Sequence, residues 1–293
     1  MRIGTAEPNS TFLTQGQALA RVLERQGVKG PFEVLMSPAA SIDNANRLDR
    51  GEIDLGFMAA NWIGRARRGE APFSHPIDLR LVGPMNLGPL FFIARAGSGI
   101  ATFDDLAGRR VSVGPAGSGM TQHAHTMLGA MGHAIDWIEP AYLSFADGAR
   151  ALAAGAVDAQ LQCPIPNQVM TALDAEVPLQ VLRYSDAQLN DLLAKVPFYR
   201  RAVMRKGALR ALGEDVPQPG VLNVLVCHAR ADDGVLAKVA LAIARGAAEL
   251  GRENALFDGL DDLLQPYRQA AAPAAIDGVP LHDGARKGYA DAR

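Results

Sequence analysis

Arg110-Val-Ser-Val-Gly-Pro-Ala-Gly-Ser-Gly-Met-Thr-Gln-His-Ala-His125 reads as a strand, a glycine-rich turn and the first turn of a helix. Val111 and Val113 supply β-branched strand residues, and Ser118 is a helix-capping residue type. Gly114, Gly117 and Gly119 permit backbone angles that other residues avoid. Such a turn points unpaired backbone N–H groups and the positive end of a helix dipole at whatever lies in front of it. A carboxylate is the group it suits best.

The same plan occurs earlier in the chain. Arg2-Ile-Gly-Thr5, a polar turn from Ala6 to Thr11 and a helix from about Leu13 to Gln26 match the strand, turn and helix at Arg110. Tyr142-Leu-Ser-Phe145 matches Val34-Leu-Met-Ser37, and Gly155-Ala-Val-Asp-Ala-Gln-Leu161 matches Gly51-Glu-Ile-Asp-Leu-Gly-Phe57. The first and last pairs lie 108 and 104 residues apart, so order and spacing persist across three elements. The expectation is a βαβαβ unit used twice, once in each of two lobes, as parallel α/β sheets. A chance likeness between α/β units is the alternative, because glycine-x-aliphatic-aspartate is a common helix-to-strand junction. The breaker-rich Pro84-Met-Asn-Leu-Gly-Pro89 is expected to cross between lobes, and Leu179 to Leu182 to carry the chain back. That places lobe I at 1–88 and 186–293 and lobe II at 89–185. Asp232 to Leu250 is expected to be one helix packed on lobe I, and Pro197, Pro217 and Pro219 to mark an irregular stretch.

The 293 residues are enough for two sizeable cores, and 29 basic against 31 acidic residues give no reason to expect nucleic acid or an anionic membrane as partner. Cys163 and Cys227, both in apolar surroundings, are expected to be buried free thiols. No apolar tract approaches a transmembrane span. No basic, apolar leader precedes the first strand, so a cytosolic chain and one whose leader has been removed are both compatible with this start.

In an open parallel sheet, ligands bind beyond the carboxyl ends of the strands. The candidate residues there are Thr5, Ala6, Ser10, Thr11, Phe12, Ser37, Ala40, Ser41, Asn44, Asn61 and Trp62 in the first lobe. In the second they are Gly117, Ser118, Gly119, Met120, Thr121, Ser144, Pro164 and Asn167. Two facing sets are expected to form a cleft rich in hydroxyls, amides and backbone donors. The sets are poor in acids, histidines and thiols, which suits holding a small polar molecule and not moving protons.

Enzyme motifs fit poorly. No lysine follows Gly119 as a Walker loop requires, and Gln122 stands where a dinucleotide fingerprint needs glycine. His123 and His125 are two apart on a helix, whereas zinc helices space their ligands by four. Asp104-Asp105 reads as a helix cap, and Arg65, Arg67 and Arg68 as a solvated face. No catalytic residue, metal or cofactor is expected.

The chain resembles the TAXI class of substrate-binding proteins of TRAP transporters, which have the two-lobed type II periplasmic-binding-protein fold. Ile3-Gly-Thr-Ala-Glu-Pro-Asn-Ser-Thr-Phe12 stands where that family has Ile-Gly-Thr-Gly-x-x-Gly-Gly-Thr-Tyr. Pro38-Ala-Ala-Ser-Ile-Asp-Asn44 stands for Thr-Gly-Gly-Ser-x-x-Asn, and Ser112 to Met120 for Ser-Val-Gly-Pro-x-Gly-Ser-Gly-Thr. Gly51 to Leu55, Tyr142 to Phe145, Pro166-Asn167, Pro197-Phe-Tyr199, Glu214-Asp-Val-Pro217 and Leu281-His-x-Gly-Ala285 follow in order. The resemblance implies mostly parallel sheets flanked by helices, joined by a two-segment hinge. It also implies a periplasmic receptor, expected to be a monomer, that closes on a small carboxylate and delivers it to membrane permease subunits. Ala6, Asn9, Ser10, Pro38, Ala39, Ala40 and Met120 depart from the family pattern. The methionine suggests a ligand with a less polar or aromatic body, held between Phe12 and Trp62. An enzyme acting on an aromatic acid and a cytosolic effector-sensing domain share the fold and stay open at this level.

Overall fold

Strand and helix alternate from the first residues: β1 (Arg2–Gly4), α1 (Thr11–Arg25), β2 (Glu33–Leu35), α2 (Ser41–Asp49), β3 (Leu55–Ala59), α3 (Ala60–Arg68) and β4 (Leu79–Pro89). There follow β5 (Phe91–Arg95), β6 (Arg110–Ser112), α4 (Gly119–Ala130), β7 (Glu139–Ala141), α5 (Phe145–Ala153), β8 (Ala159–Gln162), α6 (Gln168–Glu176), β9 (Leu179–Val181), α7 (Asp186–Lys195), β10 (Tyr199–Met204) and β11 (Val216–His228). The chain ends with α8 (Asp233–Arg245), α9 (Ala247–Glu253), α10 (Leu260–Arg268), β12 (Ala275–Ile276), β13 (Val279–Pro280) and α11 (Asp283–Ala290). This computed structural model describes residues 1–8, 10–162, 165–271 and 275–292. It divides into two units, Met1–Leu87 with Leu222–Arg293, and Gly88–Val221.

The first unit's sheet runs β2-β1-β3-β11 and the second's β7-β6-β8-β5-β9. In each, three parallel strands take the order second, first, third, and an antiparallel strand follows the third. The repeat read from the sequence is therefore a repeat of topology.

One local device sets it up in both units. The Asp54 carboxylate accepts the Arg2 N–H (2.7 Å), and the Asp54 N–H donates to the Arg2 carbonyl (2.9 Å). Asp158 and Arg110 repeat this at 3.0 and 2.8 Å. A single aspartate thus ties the start of the third strand to the start of the first. The registers Ile3↔Leu55 and Val111↔Ala159 follow one residue on.

Packing completes each unit. Leu19, Val22 and Leu23 of α1 are fully buried, contributing about 1.5–3 kcal/mol each. Helix α11 lies against α8 through glycines: a Cβ on Gly288 would fall 2.2 Å from the Ala237 carbonyl oxygen. Asp105 caps its short helical turn as expected, accepting from the N–H groups of Ala101 and Thr102. Among the described residues, no helix is long and apolar enough to cross a membrane.

Three expectations are corrected. Residues 186–221 stay with the second unit: Leu189 and Leu192 of α7 are buried, and β10 pairs with the first half of β11. The second crossing therefore lies at Val221–Leu222, inside β11, and not near 182–186. The stretch holding Pro217 and Pro219 is strand, not irregular chain; residues 84–89, where the chain passes from one unit to the other, are strand too. Prolines are tolerated where a strand N–H has no ladder partner to serve. Finally, the helix expected over 232–250 is two helices that meet at Gly246, where a Cβ would lie 2.6 Å from Val22 Cγ1 of α1.

Burial raises the Asp54 carboxyl, but hydrogen bonds from the Arg2 side chain and backbone outweigh it and hold it below the ordinary value. A depressed folded-state value stabilises above the unfolded value of about 4, and the gain disappears as pH falls through the folded value. Asp54→Asn is therefore expected to lower Tm near neutral pH, with the gap to the wild type closing as pH falls below the ordinary carboxylate range. Thermal melts across pH check this; a gap of constant size would assign the loss to something other than the carboxylate.

Candidate functional site

At the carboxyl ends of the first unit's strands, most of the expected residues come together, but as a hydrogen-bonded framework. Asn44, fully buried on α2, donates from Nδ2 to the carbonyls of Thr5 (2.7 Å) and Phe57 (2.9 Å). Its Oδ1 accepts from Ser37 Oγ (2.7 Å), which in turn accepts from Arg47 (2.8 Å). Gly4 lacks a side chain because Asn44 occupies that space; a Cβ there would lie 2.4 Å from Asn44 Oδ1. The Thr5 hydroxyl donates to the Leu35 carbonyl (2.8 Å), and Ser41 Oγ accepts the Ala59 N–H (3.1 Å). Ser10 caps α1, with half-buried Thr11 as its first residue and buried Ala6 just before. These polar side chains are committed to holding three strand ends together.

The two aromatic candidates are core residues. Phe12 is 8% exposed and packs on Phe57 with ring centroids 5.7 Å apart. Trp62 is 7% exposed, meets Phe73 edge-on, and carries the Arg65 guanidinium over its ring at 5.0 Å. Each ring thus has a partner within its own unit. Asn61, on the first turn of α3, is different: it is 7% exposed, and its Oδ1 has no partner among the described residues. Three amides absent from the expected set, Gln15, Asn86 and Asn223, are buried at the same edge. A polar residue inside an apolar strand is the signal that marks Asn86 and Asn223.

In the second unit the glycine turn forms as read. Gly114 and Gly117 have φ of 89° and 73°, and a Cβ on Gly114 would lie 2.8 Å from Met120 Cβ. Ser118 caps α4, its Oγ accepting the Thr121 N–H (3.2 Å). The Thr121 hydroxyl donates back to the Pro115 carbonyl (2.7 Å), closing the turn. The N–H groups of Gly119 and Met120 have no partner among the described residues. Half-buried Met120 stands beside them. Ser144 and Asn167 are caps too, of α5 and α6, accepting from the N–H groups of Asp147 (3.1 Å) and Met170 (2.8 Å). Pro164 and Cys163 lie outside the described residues. Beneath α5, Ser112 Oγ, Gln160 Oε1 and Gln162 Nε2 are buried without partners among the described residues.

Groups that carry chemistry elsewhere are locked away. His123 is buried against the Tyr199 hydroxyl (2.8 Å), and burial lowers its pKa to about 4. Burial likewise pushes the free Cys227 thiol up to about 12. A cavity of about 620 Å³ lies at the opposite edge of the first unit's sheet, beside Met1, Ile53 and Asp54. Its Arg230 is bonded to the carbonyls of Leu48 (2.7 Å) and Asp49 (2.6 Å), closing the end of α2.

A family model described as the NMT1-like family matches residues 3–292. The chain belongs to the NMT1-like family. The match is to that family as a whole, which is coarser than the TAXI resemblance. Among solved structures, the periplasmic aliphatic sulphonate binding protein SsuA from Escherichia coli is 22% identical. That alignment covers 100% of this chain and 83% of that one, with a TM-score of 0.50. A putative sulfonate ABC transporter periplasmic sulfonate-binding protein from Methylobacillus flagellatus is 14% identical, covering 99% and 80%, with a TM-score of 0.55. The GluR0 ligand-binding core from Nostoc punctiforme, in complex with L-glutamate, is 15% identical, covering 89% and 99%, with a TM-score of 0.52. The fold is that of the two-lobed periplasmic binding proteins.

Ala40, the N-cap of α2, has φ 45° and ψ −112°, a region that only glycine enters readily. Backbone strain of this kind costs about 1–3 kcal/mol. Ala40→Gly is expected to stabilise the protein by ~1 kcal/mol in a denaturant titration; an unchanged or lower midpoint contradicts the strain.

Proposed function

We propose that this member of the NMT1-like family is an extracytoplasmic solute-binding receptor. It captures a small anion, a carboxylate such as an organic or amino acid, and delivers it to membrane permease subunits. The observation that carries this reading is the start of α4, where two backbone N–H groups without partners stand at the carboxyl end of β6. The helix dipole and aligned donors favour an anion by up to ~2 kcal/mol in a partly buried site. Each charge-assisted hydrogen bond adds roughly 1.5–3 kcal/mol.

The TAXI-type motifs from Ile3 to Ala285 favour a TRAP-type permease and action as a single chain in the periplasm. A sulfonate ligand and an ABC permease are the second reading, favoured by the names of two structural neighbours. The proposed activity is binding without turnover: His123 and Cys227 are buried in forms unsuited to proton transfer or attack.

Gly119 is the first helical residue, and Ser118 before it is extended at φ −70°, ψ 163°. Proline suits both conditions and removes only the Gly119 N–H. Gly119→Pro is expected to keep the wild-type circular dichroism and to weaken anion binding about 10- to 100-fold in calorimetry. Unchanged affinity would take the anion away from this helix.

A further inference from the structure

The cavity of about 620 Å³ beside Met1, Ile53 and Asp54 lies wholly within the first unit, at the amino ends of its parallel strands. Its volume falls in the range of about 300–1,000 Å³ typical of small-molecule sites. Four aliphatic side chains form its floor: Leu48 near the end of α2, Ile53 and Leu55 at the start of β3, and Leu236 in the first turn of α8. None of the four is more than 3% exposed.

The rim adds an apolar side chain that the fold itself does not bury. Val235 lines the same cavity and is 40% exposed. Among the described residues only Met36, Tyr142 and Val235 are large hydrophobic side chains left exposed. The buried face of α8 begins one residue later, at Leu236. Core packing therefore gives no reason for valine at 235, whereas an apolar occupant of the cavity does.

The charges around the cavity do not cancel. Both of its acids are engaged: Asp54 takes the N–H (2.7 Å) and guanidinium (3.1 Å) of Arg2, and Asp232 caps α8 by accepting the Val235 N–H (2.8 Å). Burial lowers the His228 pKa, so that ring is uncharged at neutral pH. Arg230 bonds to the carbonyls of Leu48 and Asp49 and has no ion pair among the described residues. The Lys29 ammonium has neither a hydrogen bond nor an ion pair among them. An aliphatic floor beneath two cations without a carboxylate partner suits a molecule with an apolar body and one anionic end.

We propose that this cavity is a second ligand site, for a straight-chain alkyl carboxylate whose chain covers the aliphatic floor and Val235 and whose head meets Lys29 and Arg230. The site is separate from the anion reading at α4 and does not rest on it.

Calorimetry with butanoate, hexanoate and octanoate below their micelle concentrations tests it, with octan-1-ol as the uncharged match. Affinity is expected to rise at least about tenfold from hexanoate to octanoate. Octanoate is expected to bind about 2- to 5-fold more tightly than octan-1-ol, and Lys29→Gln to remove that difference. Val235→Glu puts a carboxylate at the third residue of α8, where the helix dipole favours it, so circular dichroism and Tm are kept. Octanoate affinity in that variant falls at least about tenfold. Gly119→Pro leaves the alkanoate series as in the wild type. Affinity that does not grow with chain length, or that Val235→Glu leaves unmoved, overturns the site. Equal binding of octanoate and octan-1-ol overturns the carboxylate head, and loss of the series in Gly119→Pro alone assigns it to α4 instead.

Discussion

Each unit depends on an aspartate that closes a pair of hydrogen bonds with the first residue of a strand. In Asp54 with Arg2, and Asp158 with Arg110, the aspartate N–H donates to the arginine carbonyl and the carboxylate accepts the arginine N–H. In a parallel sheet a slip of one residue turns every side chain to the other face. Fixing the starting residue therefore fixes which side chains enter the core. Ile3, Leu55, Val111 and Ala159 are all fully buried as a result. The glycine before each aspartate, Gly51 or Gly155, has positive φ and ends the preceding helix so that the carboxylate can reach back.

At the other edge of the sheets the polar groups divide by role. Those that hold the strand ends, Asn44, Ser37, Ser41 and Thr5, each have hydrogen-bond partners and behave as core residues that happen to be polar. A smaller number, Asn61 and Gln15 in one unit and the first amides of α4 in the other, lack them. Satisfied groups give the edge its rigidity, while unsatisfied ones retain bonding capacity for something else. The two kinds share residue types, so only their partners tell them apart.

That distinction explains what could be read in advance. The repeated plan was legible because Gly51 to Phe57 and Gly155 to Leu161 state a local junction, and the cap at Ser118 because N-caps depend on near neighbours. Local reading erred where distant contacts decide. Helix α8 stops at Gly246 because α1 packs there through Val22. Prolines 217 and 219 sit in a strand, paired there with Val203 and Arg201 of β10. Phe12 and Trp62 stood among polar neighbours, yet their rings found Phe57 and Phe73. Gln15, Asn86 and Asn223 are far apart in sequence and acquire meaning only when the fold joins them.

The aspartate ties have a consequence for how such a protein changes over time. They lie at the amino ends of the strands, and the candidate solute-binding groups lie at the carboxyl ends, so a substitution in one place leaves the other physically untouched. Ala6 and Pro38 in loops at the carboxyl ends, and Met120 in the first turn of α4, stand where the resembling family has glycine or threonine. Drift of that kind can exchange one cargo for another while the register of both sheets is inherited intact.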